Sequence, residues 1–149
     1  MRILYDKLLL SKNLQEISMK TYIEDIITSL QNIFADKNNV IIENSITEFN
    51  ITSKSAITIG IIINELLTNV FKYAFKDHTD GKVHVSIEKK GKLVTVIIQD
   101  NGIGIDEQIL KNKSTGFGMT IVKMLSEQLK GTFRMENKNG TRSVIQFEI

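Results

Sequence analysis

The chain has 149 residues, the size of one domain with room for a sizeable core. Its 19 basic and 17 acidic side chains nearly cancel and are interspersed, so neither nucleic acid nor an anionic membrane is favoured as the main partner. The absence of cysteine excludes a disulfide framework and a thiolate metal centre, and His78 and His84 alone are too few for a histidine-rich one. The longest apolar run, "AITIGIII", is far short of a membrane span, and the N-terminus does not follow the signal-peptide pattern. With hydrophobic residues at 42% and charged residues at 24%, these features read as a soluble, cytoplasmic globular domain.

In chain order, "RILYDKLLL" reads as the last turns of a helix or a short segment docking on the domain. "SMKTYIEDIITSLQNIFA" follows, with Ser18 as N-cap and a helical apolar stripe of Tyr22, Ile23, Ile26, Ile27, Leu30, Ile33 and Phe34. "NNVIIEN" and "ITEFNIT" are short extended segments, after which Ser53 is expected to cap a long helix ending near Phe75. "KVHVSIEKK" alternates Val83, Val85 and Ile87 against Lys82, His84, Ser86 and Glu88. "GKLVTVIIQD", apolar on both faces, reads as a central strand joined to it by the "KKGK" turn. A helix over 118–129 precedes a last hairpin, "GTFRMEN" and "TRSVIQFEI", turned at Asn139-Gly140. This order predicts an α/β (α+β) two-layer sandwich, with a mixed, mostly antiparallel sheet covered on one face by about three helices.

Chemistry concentrates in three places. In "NELLTNVFKYAF", residues 64–75, helical spacing puts Glu65, Asn69 and Lys72 within roughly 60° of one another, with Thr68 and Tyr73 alongside. Ile63, Leu66, Leu67, Val70 and Ala74 take the other side. A solvated polar face explains such a pattern too, although Asn is a poor helix former and is seldom placed mid-helix without a use. The central strand runs into "DNGIGID", where Asp100 closes the strand and Gly102 and Gly104 let a loop take positive φ and a ligand approach the backbone. "TGFGMTIV" then opens a helix with Gly116 and Gly118, a setting suited to phosphates. Either glycine pair alone is common in ordinary turns; their order along the chain is more specific.

In that order the segments resemble the ATP-binding domain of sensor histidine kinases. That domain shares the Bergerat fold with the gyrase, heat-shock chaperone and mismatch-repair ATPases. "NELLTNVFKYA" is similar to the asparagine box, "DNGIGI" and "GFGMTIV" to the two glycine boxes, and Gly140-Thr141 to the terminal Gly-Thr pair. The resemblance implies that Asn69 ligates Mg²⁺ beside phosphate oxygens and water. Lys72 is expected to reach the terminal phosphates and counter the charge that develops there, Tyr73 to lie against adenine, and Asp100 to accept from its exocyclic amine. Guanine carries an oxygen at that position, which a buried carboxylate would repel. Gly102 and Gly104 would permit close approach of the nucleotide, Gly116 and Gly118 would line the phosphates, and Thr141 would support the Asp100 contact, directly or through a water. Glu65 joins the catalytic set. Its counterpart activates water in members that hydrolyse ATP, and in a histidine kinase it would instead orient a metal-bound water.

The resemblance extends to the N-terminus, where residues 1–18 are similar to the connection from dimerisation helices and 19–149 to the kinase domain. The function it implies is donation of the terminal phosphate of Mg-ATP to a histidine on those helices, with a response-regulator receiver domain downstream. Two features depart from the family. "IDEQILKNKST" is short for an ATP lid and lacks its aromatic box, and no phosphoacceptor motif is present. His78 and His84 read as surface histidines, so the acceptor is expected upstream of Met1, in a parent protein either soluble or membrane-anchored. The alternative within the same fold is an anti-sigma-factor serine kinase.

Overall fold

The computed structural model describes residues 16–34, 40–75, 81–104 and 119–149. Strand β1 (Glu16–Ser18) leads into helix α1 (Met19–Phe34), then β2 (Ile41–Ile46) and β3 (Asn50–Thr52). Helix α2 (Ser53–Asn69) continues directly into a π-helical turn, Val70–Ala74. The β4 (Lys82–Lys90) and β5 (Leu93–Asp100) hairpin, helix α3 (Met119–Gln128), and the β6 (Thr132–Asn137) and β7 (Thr141–Glu148) hairpin complete the described chain. The five-stranded sheet has the order β2-β4-β5-β7-β6; β2 runs parallel to β4 and every other pairing is antiparallel. A separate two-stranded ribbon pairs β1 with β3, so residues 16–18 of the segment read as a connection pack as a strand.

One face of the sheet is covered by helices, as the element order predicts. Val83, Val85 and Ile87 of β4 and Val94, Val96 and Ile98 of β5 point inward at 2% exposure or less. They meet Ile59, Ile62, Ile63, Leu66 and Leu67 of α2 and the stripe of α1 in a single core. β5 is central by position, but only one of its faces is covered: Leu93 is exposed and Ile97 half-buried on the open side. The strand is thus central and apolar on both faces, as its sequence reads, with the outward apolar residues left partly open. Helix α2 with its π turn spans 22 residues, long and apolar enough to cross a membrane, yet half of that stretch is buried inside the fold. It is the core helix of the domain.

Two local expectations change. Ser18 does cap α1, its hydroxyl accepting from Thr21 N at 3.2 Å. The cap of α2 is Thr52 rather than Ser53: β3 delivers Thr52 in the extended conformation a cap requires, and its hydroxyl accepts from Ser55 N at 3.4 Å. Ser53 is already helical and buried. In the α1 stripe, Ile33 is 68% exposed, because in the last turn Phe34 takes the inward place and stacks on Phe71.

Candidate functional site

The alternation that buries Val94, Val96 and Ile98 carries one step further and points Asp100 under the helices as well. Asp100 is only 3% exposed, in an otherwise apolar layer. Its Oδ1 accepts from Gly102 N at 2.9 Å and Thr141 N at 3.1 Å. Burial raises its pKa, and the two N–H groups oppose that pull without cancelling it. No partner of the second carboxylate oxygen lies among the described residues. Among the described residues Arg142 Nε alone is a buried side-chain polar atom without a hydrogen bond, so this oxygen keeps some access and can accept from a donor presented by a ligand.

Two glycines make this arrangement possible through protein contacts. A Cβ at position 102 would strike the carbonyl of Ala74, the last residue of the π turn, and Ile103 N donates to that same carbonyl at 3.0 Å. Gly102 also has no positive φ, so packing against Ala74, rather than backbone freedom, is what requires glycine there. Gly104, at φ +79°, does use the left-handed region. A Cβ at Gly140 would strike the Asp100 carbonyl, so the last hairpin approaches closely enough for Thr141 N to reach the carboxylate. Thr141 therefore supports Asp100 through its backbone N–H. Asn101 pins the loop to β4, its Oδ1 accepting from Lys82 N at 2.8 Å.

The π turn that follows α2 abuts this loop through the carbonyl of Ala74. Glu65, Thr68 and Asn69 are half-buried, while Lys72 and Tyr73 are exposed, Tyr73 at 39%. Opposite them Ile63, Leu66, Leu67, Val70 and Ala74 are all buried, as helical spacing predicts. Lys72 and Tyr73 lie within the π turn, whose i→i+5 bonds advance each residue by less than the α-helical step. That turn is anchored on its buried side by Phe71, whose ring stacks on Phe34 at 4.8 Å and 7°. A glycine loop on one side and α1 on the other thus hold the segment carrying Lys72 and Tyr73. Phe34 and Phe71 are absent from the sequence-based site because two aromatic residues on apolar faces give no signal beyond core packing.

Gly116 and Gly118, the segment between the glycine pairs, and His78 lie outside the described residues. His84 stands half-buried on the open face of the sheet, on the side away from Asp100. Among the described residues no group of three His, Cys, Asp or Glu could hold a metal ion. A groove of about 650 Å³, bordered by Lys54, Lys89, Lys92 and Phe147, lies at the far end of β5 and shares no residue with the site.

A buried carboxylate at a strand end, clasped by glycine turns beneath a helical layer, agrees with a two-layer ATP-binding fold. The chain belongs to the family described as "Histidine kinase-, DNA gyrase B-, and HSP90-like ATPase", which it matches over residues 54–149; that family binds ATP. Blue-light-activated histidine kinase 2 of Erythrobacter litoralis is 29% identical over 92 residues, covering 61% of this chain and 26% of the kinase. The chain thus spans about a quarter of that relative's length. The anti-sigma F factor of Clostridium novyi is 26% identical over 113 residues, covering 68% of this chain and 76% of that protein. In fold, the histidine kinase domain of the Erythrobacter litoralis EL346 blue-light-activated kinase superposes with a TM-score of 0.81 at 22% identity, covering 89% of this chain and 61% of that one. The chain is an ATPase domain resembling the catalytic domains of sensor histidine kinases.

Proposed function

We propose that this chain is the ATP-binding catalytic domain of a two-component sensor histidine kinase, with residues 19–149 as the catalytic unit and 1–18 its connection to dimerisation helices. The observation that carries the nucleotide reading is Asp100 at the strand end, one carboxylate oxygen held by Gly102 and Thr141 and the other left accessible to a ligand. It would accept from the exocyclic amine of adenine, and Tyr73 would offer its exposed ring to the base. Asn69 would hold Mg²⁺, since a neutral oxygen suits an ion that keeps water and phosphate ligands. Bound there, Mg²⁺ would neutralise phosphate charge. Lys72, exposed on the π turn, would bind the terminal phosphates, and Glu65 would orient water around the ion. Gly104 would allow the nucleotide close to the backbone, and Gly116 and Gly118 would line its phosphates.

The acceptor would be a histidine on dimerisation helices, and a receiver domain would take the phosphate from it. Transfer depends on placing the nucleophile in line with the leaving oxygen. Incubated with labelled ATP, the 149-residue chain alone should label itself negligibly. With a dimeric helical fragment encoded by the same gene, it should produce an acid-labile, alkali-stable phosphohistidine. Strong labelling of the chain at His78 or His84 would refute this. The 76% coverage of the anti-sigma F factor favours one second reading, serine phosphorylation of an antagonist, and acid-stable label on a partner's serine would support it.

A further inference from the structure

We infer that Gln99 is a positioning residue for base recognition: from the open face of the sheet, its amide ties the β6–β7 turn to the backbone of Asp100. This rests on the nucleotide reading of the site. Alternation along β5 sends Gln99 to the face opposite the Asp100 side chain, so it cannot touch a ligand held there. Its Nε2 lies 2.9 Å from the Asp100 carbonyl and 3.0 Å from the Lys138 carbonyl. Two carbonyl acceptors fix the amide's orientation, since only its NH₂ can serve both.

Lys138 begins the turn that ends at Gly140-Thr141. The turn holds two residues in the left-handed region, Asn139 at φ +54° and Gly140 at φ +126°, and closes with Lys138 N donating to Gly140 O at 2.9 Å. Gly140 lies against the Asp100 backbone, and Thr141 N reaches Asp100 Oδ1 on the inner face at 3.1 Å. The turn is therefore fastened to one residue from both faces of the sheet, by Gln99 outside and by Thr141 inside. Without the outer tie, Thr141 N–H is free to drift from the carboxylate. Asp100 would then keep only the Gly102 N–H against the upward pull of burial on its pKa.

The test compares Gln99→Met, which keeps length and loses the donor, with Gln99→Glu, which sets a carboxylate against two carbonyl oxygens. Calorimetric affinities for ATP, AMP and GTP are read beside hydrogen exchange at the Thr141 amide in nucleotide-free protein. Loss of a net hydrogen bond predicts about three- to tenfold weaker binding of ATP and AMP alike, because both present the same base. Gln99→Glu should lose at least as much, the preference for ATP over GTP should narrow, and Thr141 should exchange several-fold faster in both variants. A role confined to stability would lower the melting temperature and leave these affinities unchanged in folded protein. Wild-type affinities with unchanged Thr141 exchange in either folded variant would overturn the inference, as would a loss seen for ATP but not AMP. A wild-type chain that binds no adenine nucleotide would overturn the reading of the site itself, and this inference with it.

Discussion

Replacing Asp100 with Asn separates what the site does for a ligand from what it costs the protein. The asparagine oxygen can still accept from Gly102 N and Thr141 N, so the loop and hairpin keep their ties. At the second position an NH₂ replaces an acceptor, and on the proposed nucleotide reading a donor would then face the amine of adenine. Loss of a charge-assisted hydrogen bond is worth about 1.5–3 kcal/mol, or about tenfold to a hundredfold in affinity. The discrimination against GTP should narrow with it. Stability should move the other way. Burial raises the pKa of folded Asp100 above its unfolded value, so between the two the folded state binds the proton more tightly. The stabilisation tied to this proton is full below the unfolded pKa and lost as pH rises through the folded one. Ionised Asp100 is thus a cost at neutral pH that Asp100→Asn removes. Each kcal/mol recovered raises the melting temperature by about 2–4 °C in a domain of this size. Titration calorimetry and thermal melts at pH 7 without nucleotide check both halves. Unchanged ATP affinity in folded Asp100→Asn protein would take Asp100 out of the base pocket. A lower melting temperature would refute the assignment of burial as the dominant influence on its carboxyl.

Asn69→Ala should leave the fold intact, because the residue lies off the buried stripe, and should abolish most of the Mg²⁺-dependent thermal stabilisation by ATP; full retention would remove Asn69 as the metal ligand. Gly102→Ala would drive a methyl into the Ala74 carbonyl, with an expected cost of about 1–3 kcal/mol and weaker ATP binding, measured by urea unfolding and calorimetry. Phe34→Leu forfeits the stack on Phe71 and should destabilise the domain by about 0.5–1.5 kcal/mol beyond the lost area. Hydrogen exchange should place that loss in the π turn, with faster exchange at Phe71–Phe75 than in the body of α2.

Much of the architecture was legible in the sequence because it rests on local periodicity. The alternation of β4, the inward set of α2 and the Asn139-Gly140 turn each follow from residues adjacent in the chain. The candidate site was legible only as a set of residue types: a strand ending in Asp100, glycines after it, and a polar flank on the helix before it. Tertiary structure decided how those residues work. Gly102 is glycine because Ala74, 28 positions earlier, presents a carbonyl against it, and Thr141 acts through its backbone because Gly140 can lie on Asp100, 40 positions away. The π turn reflects packing, with Phe71 seated on Phe34 at the end of another helix. The cap fell to Thr52 because strand pairing carries the extended conformation that far. Each of these depends on which strands and helices become neighbours. Side-chain period fixes the face a residue occupies, while the partner it meets there is set by strand order and close packing across the whole chain.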